Sequence, residues 1–153
     1  MFRLSRKSAL AIEAVADIAY HGKTSPVPSR DFTARLKIPR RHLEPVLQAL
    51  VRAEVLKSLR GPKGGYVLAR ERRRITIGDI VRAAGTVSGV DDPVKSALNL
   101  DIVQPILFKA QEEALTALDA VTIDELLARA EQRGLLSTPV SKVEAQDSVN
   151  YTI

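Results

Sequence analysis

The stretch Arg60-Gly61-Pro62-Lys63-Gly64-Gly65-Tyr66 confines this chain to a small set of folds, because glycine and proline cluster where two short β-strands would have to reverse. Before it, Val55-Leu56-Lys57-Ser58-Leu59 carries alternating apolar residues, and after it Tyr66-Val67-Leu68 favours a strand. Three glycines and a proline permit the backbone angles of a hairpin tip. Arg60 and Lys63 then stand at an exposed end, where long cationic side chains can reach phosphates or enter a minor groove. Alone, such a tip is also consistent with an ordinary surface hairpin bearing two solvated cations. The helical pattern upstream makes it the wing of a winged DNA-binding domain.

Charge is distributed unevenly. Residues 1–84 carry 18 Lys and Arg against 7 Asp and Glu, and residues 85–153 carry 5 against 11, so the net charge of +5 conceals a first half at +11 and a second at −6. A basic half joined to an acidic one points to a polyanion as the partner of the first. At 153 residues the chain can form one domain, or a small domain with an extended oligomerisation element. No window has the apolar length of a membrane span. The run Ala9-Leu10-Ala11-Ile12 is followed by Glu13 and Asp17, unlike a signal peptide, so a cytoplasmic protein with no membrane partner is expected.

Composition also removes several chemistries. With no cysteine there are no disulfides, thiolate metal sites or cysteine-ligated iron-sulfur clusters. The two histidines, His21 and His42, lie far apart in sequence, which argues against a histidine-based metal site. No Ser-His-Asp grouping, Walker loop or Rossmann glycine pattern is present, and the wing glycines lack the spacing and following helix of a phosphate loop. The chain is therefore expected to be neither an enzyme nor a holder of any cofactor.

Along the chain, Leu10, Ala11, Val15, Ile18 and Ala19 recur at helical spacing, with Ser5 as N-cap and His21-Gly22 as the end. Arg6 and Lys7 fall in the first turn, where the helix dipole disfavours cations unless a phosphate is near. Pro26 and Pro28 mark a loop, and Ser29 caps a short helix through Leu36. Lys37-Ile38-Pro39 turns into a longer helix over residues 40–53, completing a helix-turn-helix outline. On that helix Leu43, Val46, Leu47, Leu50 and Val51 form an apolar stripe, leaving Arg40, Arg41, His42, Glu44 and Gln48 to project elsewhere. Arginine can bond guanine, glutamine adenine, and glutamate can accept from cytosine in the major groove. The alternative for each is a polar face turned to water, and His42 has the further alternative of packing or capping.

Arg70 and the run Arg72-Arg73-Arg74 follow the wing, either as a solvated face or as added phosphate attraction. Ile75-Thr76-Ile77-Gly78-Asp79-Ile80 leads into a short helix ending near Ala84-Gly85, and residues 86–100 read as a loop. A long helix is expected over residues 101–120, with Pro105 tolerated in its first turn. Its seam of Val103, Leu107, Ala110, Ala114, Ala117 and Val121 is widened by Ile106, Leu115 and Leu118. Such a face is buried either against a second subunit, here represented by Val103, Leu107, Ala110, Ala114 and Leu118, or back on its own domain. Thr122 caps a last helix that Gly134 stops, and residues 137–153 read as a flexible tail.

These segments together resemble the IscR, NsrR and CymR family of dimeric bacterial winged-helix regulators over about residues 2–134. The similarity is carried by Leu4-Ser5-Arg6-Lys7, Leu43-Glu44-Pro45-Val46-Leu47, the wing with Leu68-Ala69, and Ile75-Thr76-Ile77-Gly78-Asp79-Ile80-Val81-Arg82-Ala83. The resemblance implies a homodimer with crossing long helices, recognition helices in successive major grooves and wings in adjacent minor grooves. It places DNA contacts on Lys7, Arg40, Arg41, His42, Glu44, Arg60 and Lys63. Two departures stand out. Ser8-Ala9-Leu10 replaces the Gly-Arg-Tyr that many members carry, so that arginine's phosphate contact does not transfer. The three cysteines of cluster-binding members are also missing from residues 90–103.

The chain ends Asn150-Tyr151-Thr152-Ile153, similar to tails of serine acetyltransferases and CymR-type regulators that enter cysteine synthase (O-acetylserine sulfhydrylase). That resemblance makes Tyr151, Thr152 and Ile153 a partner-binding tail. The alternative is a polar tail that happens to end in isoleucine. The resulting expectation is a mainly α protein: a winged helix-turn-helix domain with a two-stranded wing over residues 1–85, a loop, long dimerisation helix and final short helix over residues 86–136, and the tail. Its function is that of a homodimeric, cluster-free repressor of transcription, bound to double-stranded DNA. The competing reading is a regulator of an enzyme such as cysteine synthase, with DNA binding secondary.

Overall fold

The computed structural model describes residues 5–85 and 95–136. Helix α1 (Arg6–His21) begins at Ser5, whose backbone is extended and whose Oγ accepts the Ser8 N–H at 3.1 Å, satisfying a donor the helix itself leaves unpaired. Ala11, Ala14, Val15 and Ile18 line its buried face. Helix α2 (Ser29–Leu36) starts one residue earlier than expected: Ser29 is its first helical residue and Pro28 stands at the cap position. Lys37 then adopts the left-handed conformation (φ 53, ψ 39), making the tight turn, and Pro39 caps α3 (Arg40–Arg52). Leu43, Val46, Leu47 and Leu50 drive α3 against the core, whereas Pro45 lies on its exposed side.

Strands β1 (Leu56–Leu59) and β2 (Gly65–Leu68) form the expected antiparallel wing, with Ser58 opposite Tyr66 and Leu59 opposite Gly65. Tyr66 also exchanges both backbone hydrogen bonds with Val27, each at 2.9 Å, which fuses the wing base to the loop before α2. Only glycine fits at position 65, because a Cβ there would overlap the Val27 carbonyl. After a 3-10 turn at Arg72–Arg74, α4 (Ile77–Gly85) opens with a reciprocal cap: Thr76 N–H donates to Asp79 Oδ2 and Asp79 N–H to Thr76 Oγ1, both at 3.0 Å.

The long helix corrects one expectation. Residues 97–100 are helical rather than loop, and a π turn at Asn99–Val103 precedes α5 (Gln104–Asp119). Pro105 has no N–H and its ring crowds the carbonyl four residues back, so the helix widens upstream. Gln104 N–H bonds the Asn99 carbonyl, five residues away. Helix α6 (Ile123–Gln132) is capped by Thr122, whose Oγ1 accepts the Glu125 N–H at 3.2 Å, and Gly134 follows at φ 66.

Leu115, Ile123 and Leu127 share one core with Ile75, Ile80 and the buried faces of α1 and α3. The end of α5 and all of α6 therefore pack with the winged unit. The N-terminal half of α5 does not: Ile106, Leu107 and Phe108 are 63%, 56% and 64% exposed. No helix among the described residues is long and apolar enough to cross a membrane.

Candidate nucleic-acid interface

Three elements present the candidate DNA-contacting side chains: α3, the wing and the first turn of α1. The apolar stripe of α3 faces inward, so its first turns carry Arg40, Arg41 and His42 to the exposed surface and leave Glu44 half-buried. Arg40 Nε donates to Glu44 Oε2 at 3.1 Å, and Arg41 Nε donates to His42 Nε2 at 3.2 Å. The four groups thus form two local pairs, each with spare hydrogen-bonding capacity. On the wing, Arg60 and Lys63 are exposed on either side of a turn closed by Gly64 N–H to the Gly61 carbonyl at 3.0 Å. Lys7 is exposed in the first turn of α1.

Tyr66 ties the wing to α2 and the loop before it, a role its sequence context did not indicate. Its ring meets Phe32 of α2 edge-on at 6.0 Å between centroids. Burial raises the pKa of its phenol, and the Glu44 carboxylate adds to that shift. Arg40 and a hydrogen bond with Ser58 act in the opposite direction. The phenol therefore senses the same Arg40 and Glu44 that face the major groove in the sequence-based expectation. Its strand signature was visible at Tyr66-Val67-Leu68, but apart from its strand partner Ser58 the neighbours named here come from 22 or more positions upstream.

A cleft of about 500 Å³ lies between the end of α1, the start of α2 and the wing tip, with Arg30, Arg35 and Lys63 among its lining residues. Arg35 is committed elsewhere, since its guanidinium binds both oxygens of Asp17 at 2.8 and 2.6 Å. Arg30 lies 3.5 Å from its neighbour Asp31 and is otherwise open to solvent.

The arginines after the wing are placed differently from simple phosphate attractors. Arg72 Nε lies 2.6 Å from Asp124 Oδ1 and Arg73 Nε 3.6 Å from Asp124 Oδ2, while Arg70 lies 3.6 Å from Asp79. They tie the segment leaving the wing to α6 and α4. Asp124 stands some fifty positions downstream, which no local pattern links to an arginine run.

Of the expected intersubunit seam, Leu107 and Ala110 are exposed and Val103 is half-exposed in the π turn. Ala114 and Leu118 are half-buried, with Leu118 packed against the chain's own core. The sequence seam thus divides between inward and outward packing. The proposed partner-binding residues Tyr151, Thr152 and Ile153 lie outside the described residues, as does most of the loop expected before the long helix.

A model of the Rrf2 family, described as iron-dependent transcriptional regulators, matches residues 4–129. The HTH-type transcriptional regulator IscR of Xenorhabdus nematophila is 36% identical over 81 residues, covering 53% of this chain and 49% of that protein. The chain spans about half the length of the curated relatives it matches. Among solved structures, T. potens IscR superposes with TM-score 0.66 at 29% identity, over 86% of this chain and 90% of that one. CymR of B. subtilis, described as its global cysteine regulator, does so with TM-score 0.63 at 26% identity, over 84% and 98%. The iron-dependent description does not fit the donor set. The chain offers no thiolate, and among the described residues no three His, Asp or Glu side chains converge as metal ligands. With a winged helix in the structure and the family model spanning most of the sequence, the chain belongs to the Rrf2 family of transcriptional regulators.

Proposed function

We propose that this protein is a homodimeric, sequence-specific DNA-binding repressor that works in the cytoplasm without an iron-sulfur cluster. The observation that carries the reading is a cationic surface in two parts, Arg40 and Arg41 exposed on α3 and Arg60 and Lys63 exposed on the wing. In this reading α3 enters a major groove. Arg41 donates to guanine, while Glu44 exchanges part of its bond with Arg40 for the amino group of a cytosine. The wing reaches the flanking minor groove, where Arg60 meets enhanced negative potential and Lys63 neutralises phosphate. Lys7 contributes a phosphate contact and His42 borders the base-reading turn.

The dimer part of the proposal is supported by the outward Ile106, Leu107 and Phe108, which with the exposed Leu98, Leu100 and Ile102 upstream leave a broad apolar surface uncovered in the single chain. Two copies joined there would read two half-sites, and an effector that altered their relative geometry would release the operator. Gel shifts on an operator obtained by selection test the reading. Arg41→Ala with Arg60→Ala should reduce affinity by about 100-fold, since each good groove contact contributes on the order of 1–3 kcal/mol. Equal affinity of variant and parent would remove this surface from the mechanism.

The likeness to a cysteine regulator over most of its length supports sulfur metabolism as the controlled system. Cysteine synthase as the partner of Tyr151, Thr152 and Ile153 rests on the tail's resemblance alone. Calorimetry of a peptide of residues 144–153 with that enzyme should show heat that vanishes without Ile153. No heat with the complete peptide removes the enzyme from the account and leaves the DNA reading intact.

A further inference from the structure

Where α5 meets α4, one carboxylate collects an unusual number of partners. Asp119 is the last residue of α5. Its Oδ1 accepts from Arg82 Nη1 at 2.7 Å and its Oδ2 from Arg82 Nη2 at 2.7 Å, a bidentate clasp onto α4. Thr76 Oγ1, in the cap of α4, donates to the same Oδ1 at 3.3 Å. The carboxylate lies flush on Gly78, where any Cβ would overlap Oδ1. Backbone bonds reinforce the corner: Ile77 N–H donates to the Val121 carbonyl at 2.8 Å and Ile123 N–H to the Ile75 carbonyl at 2.9 Å.

We infer that Asp119, held by Arg82 and seated on Gly78, is a positioning latch that sets the angle between the dimer helix and the recognition unit, and so the spacing of half-sites the protein accepts. Helix α4 packs on α1, α3 and α5. The direction of α5 from this corner therefore fixes where its exposed apolar half sits relative to α3. Both side chains of the pair are over a third exposed, so the pair adds little to stability. Its two parallel bonds instead restrict direction. Gly78→Ala should displace only the end of the Asp119 side chain, which makes the latch breakable without disturbing the core.

The half-site consequence rests on the proposed DNA-binding dimer, whereas the angle does not, and the experiment separates them. The chain has no cysteine, so Arg52→Cys at the end of α3 and Gln111→Cys on α5 accept spin labels at those two positions alone. Pulsed electron-electron distances within one labelled chain, diluted in unlabelled protein, should be narrow in the parent and clearly broadened in Asp119→Ala and Gly78→Ala. The double variant should be no broader than either, and Arg82→Lys should be intermediate. On duplexes with half-site spacing changed by one base pair, the parent should lose at least 10-fold in affinity and Asp119→Ala less than 3-fold. Unchanged distance distributions in a folded Asp119→Ala protein overturn the latch whatever the DNA result. Broadened distances in a protein that binds no duplex confirm the latch and reject the DNA reading.

Discussion

The two halves of α5 belong to different environments although they form one continuous helix. Its C-terminal half turns Leu115 into the core, packs Leu118 against it and ends in Asp119, bonded to Arg82 and Thr76. Its N-terminal half leaves Ile106, Leu107 and Phe108 to solvent and emerges from a π turn forced by Pro105. A single apolar periodicity runs through both, so spacing alone cannot say which neighbour covers which residue. The contrast teaches that one amphipathic helix can serve intrachain packing at one end and present an open surface at the other.

The contrast can be broken most directly by placing a charge in each half. Leu115→Asp should abolish folding, because the carboxylate would have to be buried without a partner, and circular dichroism should show a largely unfolded chain. Ile106→Asp with Phe108→Asp should leave a folded protein that sediments as a monomer and binds operator about 100-fold or more weakly, having lost two-site avidity. A dimeric double variant would place the intersubunit surface elsewhere.

A second contrast, between base readers and phosphate contacts, predicts smaller effects. Arg41→Ala or Glu44→Ala should change the selected sequence at the positions each reads, at about 1–3 kcal/mol per contact. Lys7→Ala and Lys63→Ala should weaken all sequences alike and lower the salt slope by about one counterion each. Identical consensus sequences from all four variants would contradict the assignment.

How much of this was legible in the sequence depended on how local the cause was. Ser5 and Thr122 as caps, Gly134 as a stop, the Lys37-Ile38-Pro39 turn and the wing all act over a few positions, and each appears as expected. Ser29 shifted by one position because Pro28 can occupy the cap. The π turn was missed because Pro105 acts backward on a segment whose composition resembled a loop. The bonds of Arg72 to Asp124, Arg82 to Asp119 and Tyr66 to Val27 span 37 to 52 positions, and only the folded core brings those residues together.

The arginine pairs give the smallest predicted effects. Arg72→Ala should lower stability by less than about 1 kcal/mol in denaturant titrations, as expected for a partly exposed ion pair, and should leave operator affinity within 2-fold. A large loss of affinity would return the arginine run to the DNA surface. The hydrogen bonds from Arg82 hold the Asp119 carboxyl below the usual carboxylate range. Its contribution is therefore complete at neutral pH and is lost progressively as pH falls from the ordinary carboxylate range through that lowered value. The stability difference between the parent and Asp119→Asn should stay constant down to the ordinary carboxylate range and shrink below it. A difference that already shrinks above that range would mean the clasp does not lower the pKa.

Affinity selection of random duplex DNA by the purified protein tests the central claim most directly, with sedimentation of the recovered complex giving its stoichiometry. The predicted result is an imperfect palindrome bound by two chains, with half-sites about one helical turn apart, and enrichment lost in the Arg41→Ala, Arg60→Ala double variant. An unenriched pool, or a motif recovered equally by that variant, would contradict it.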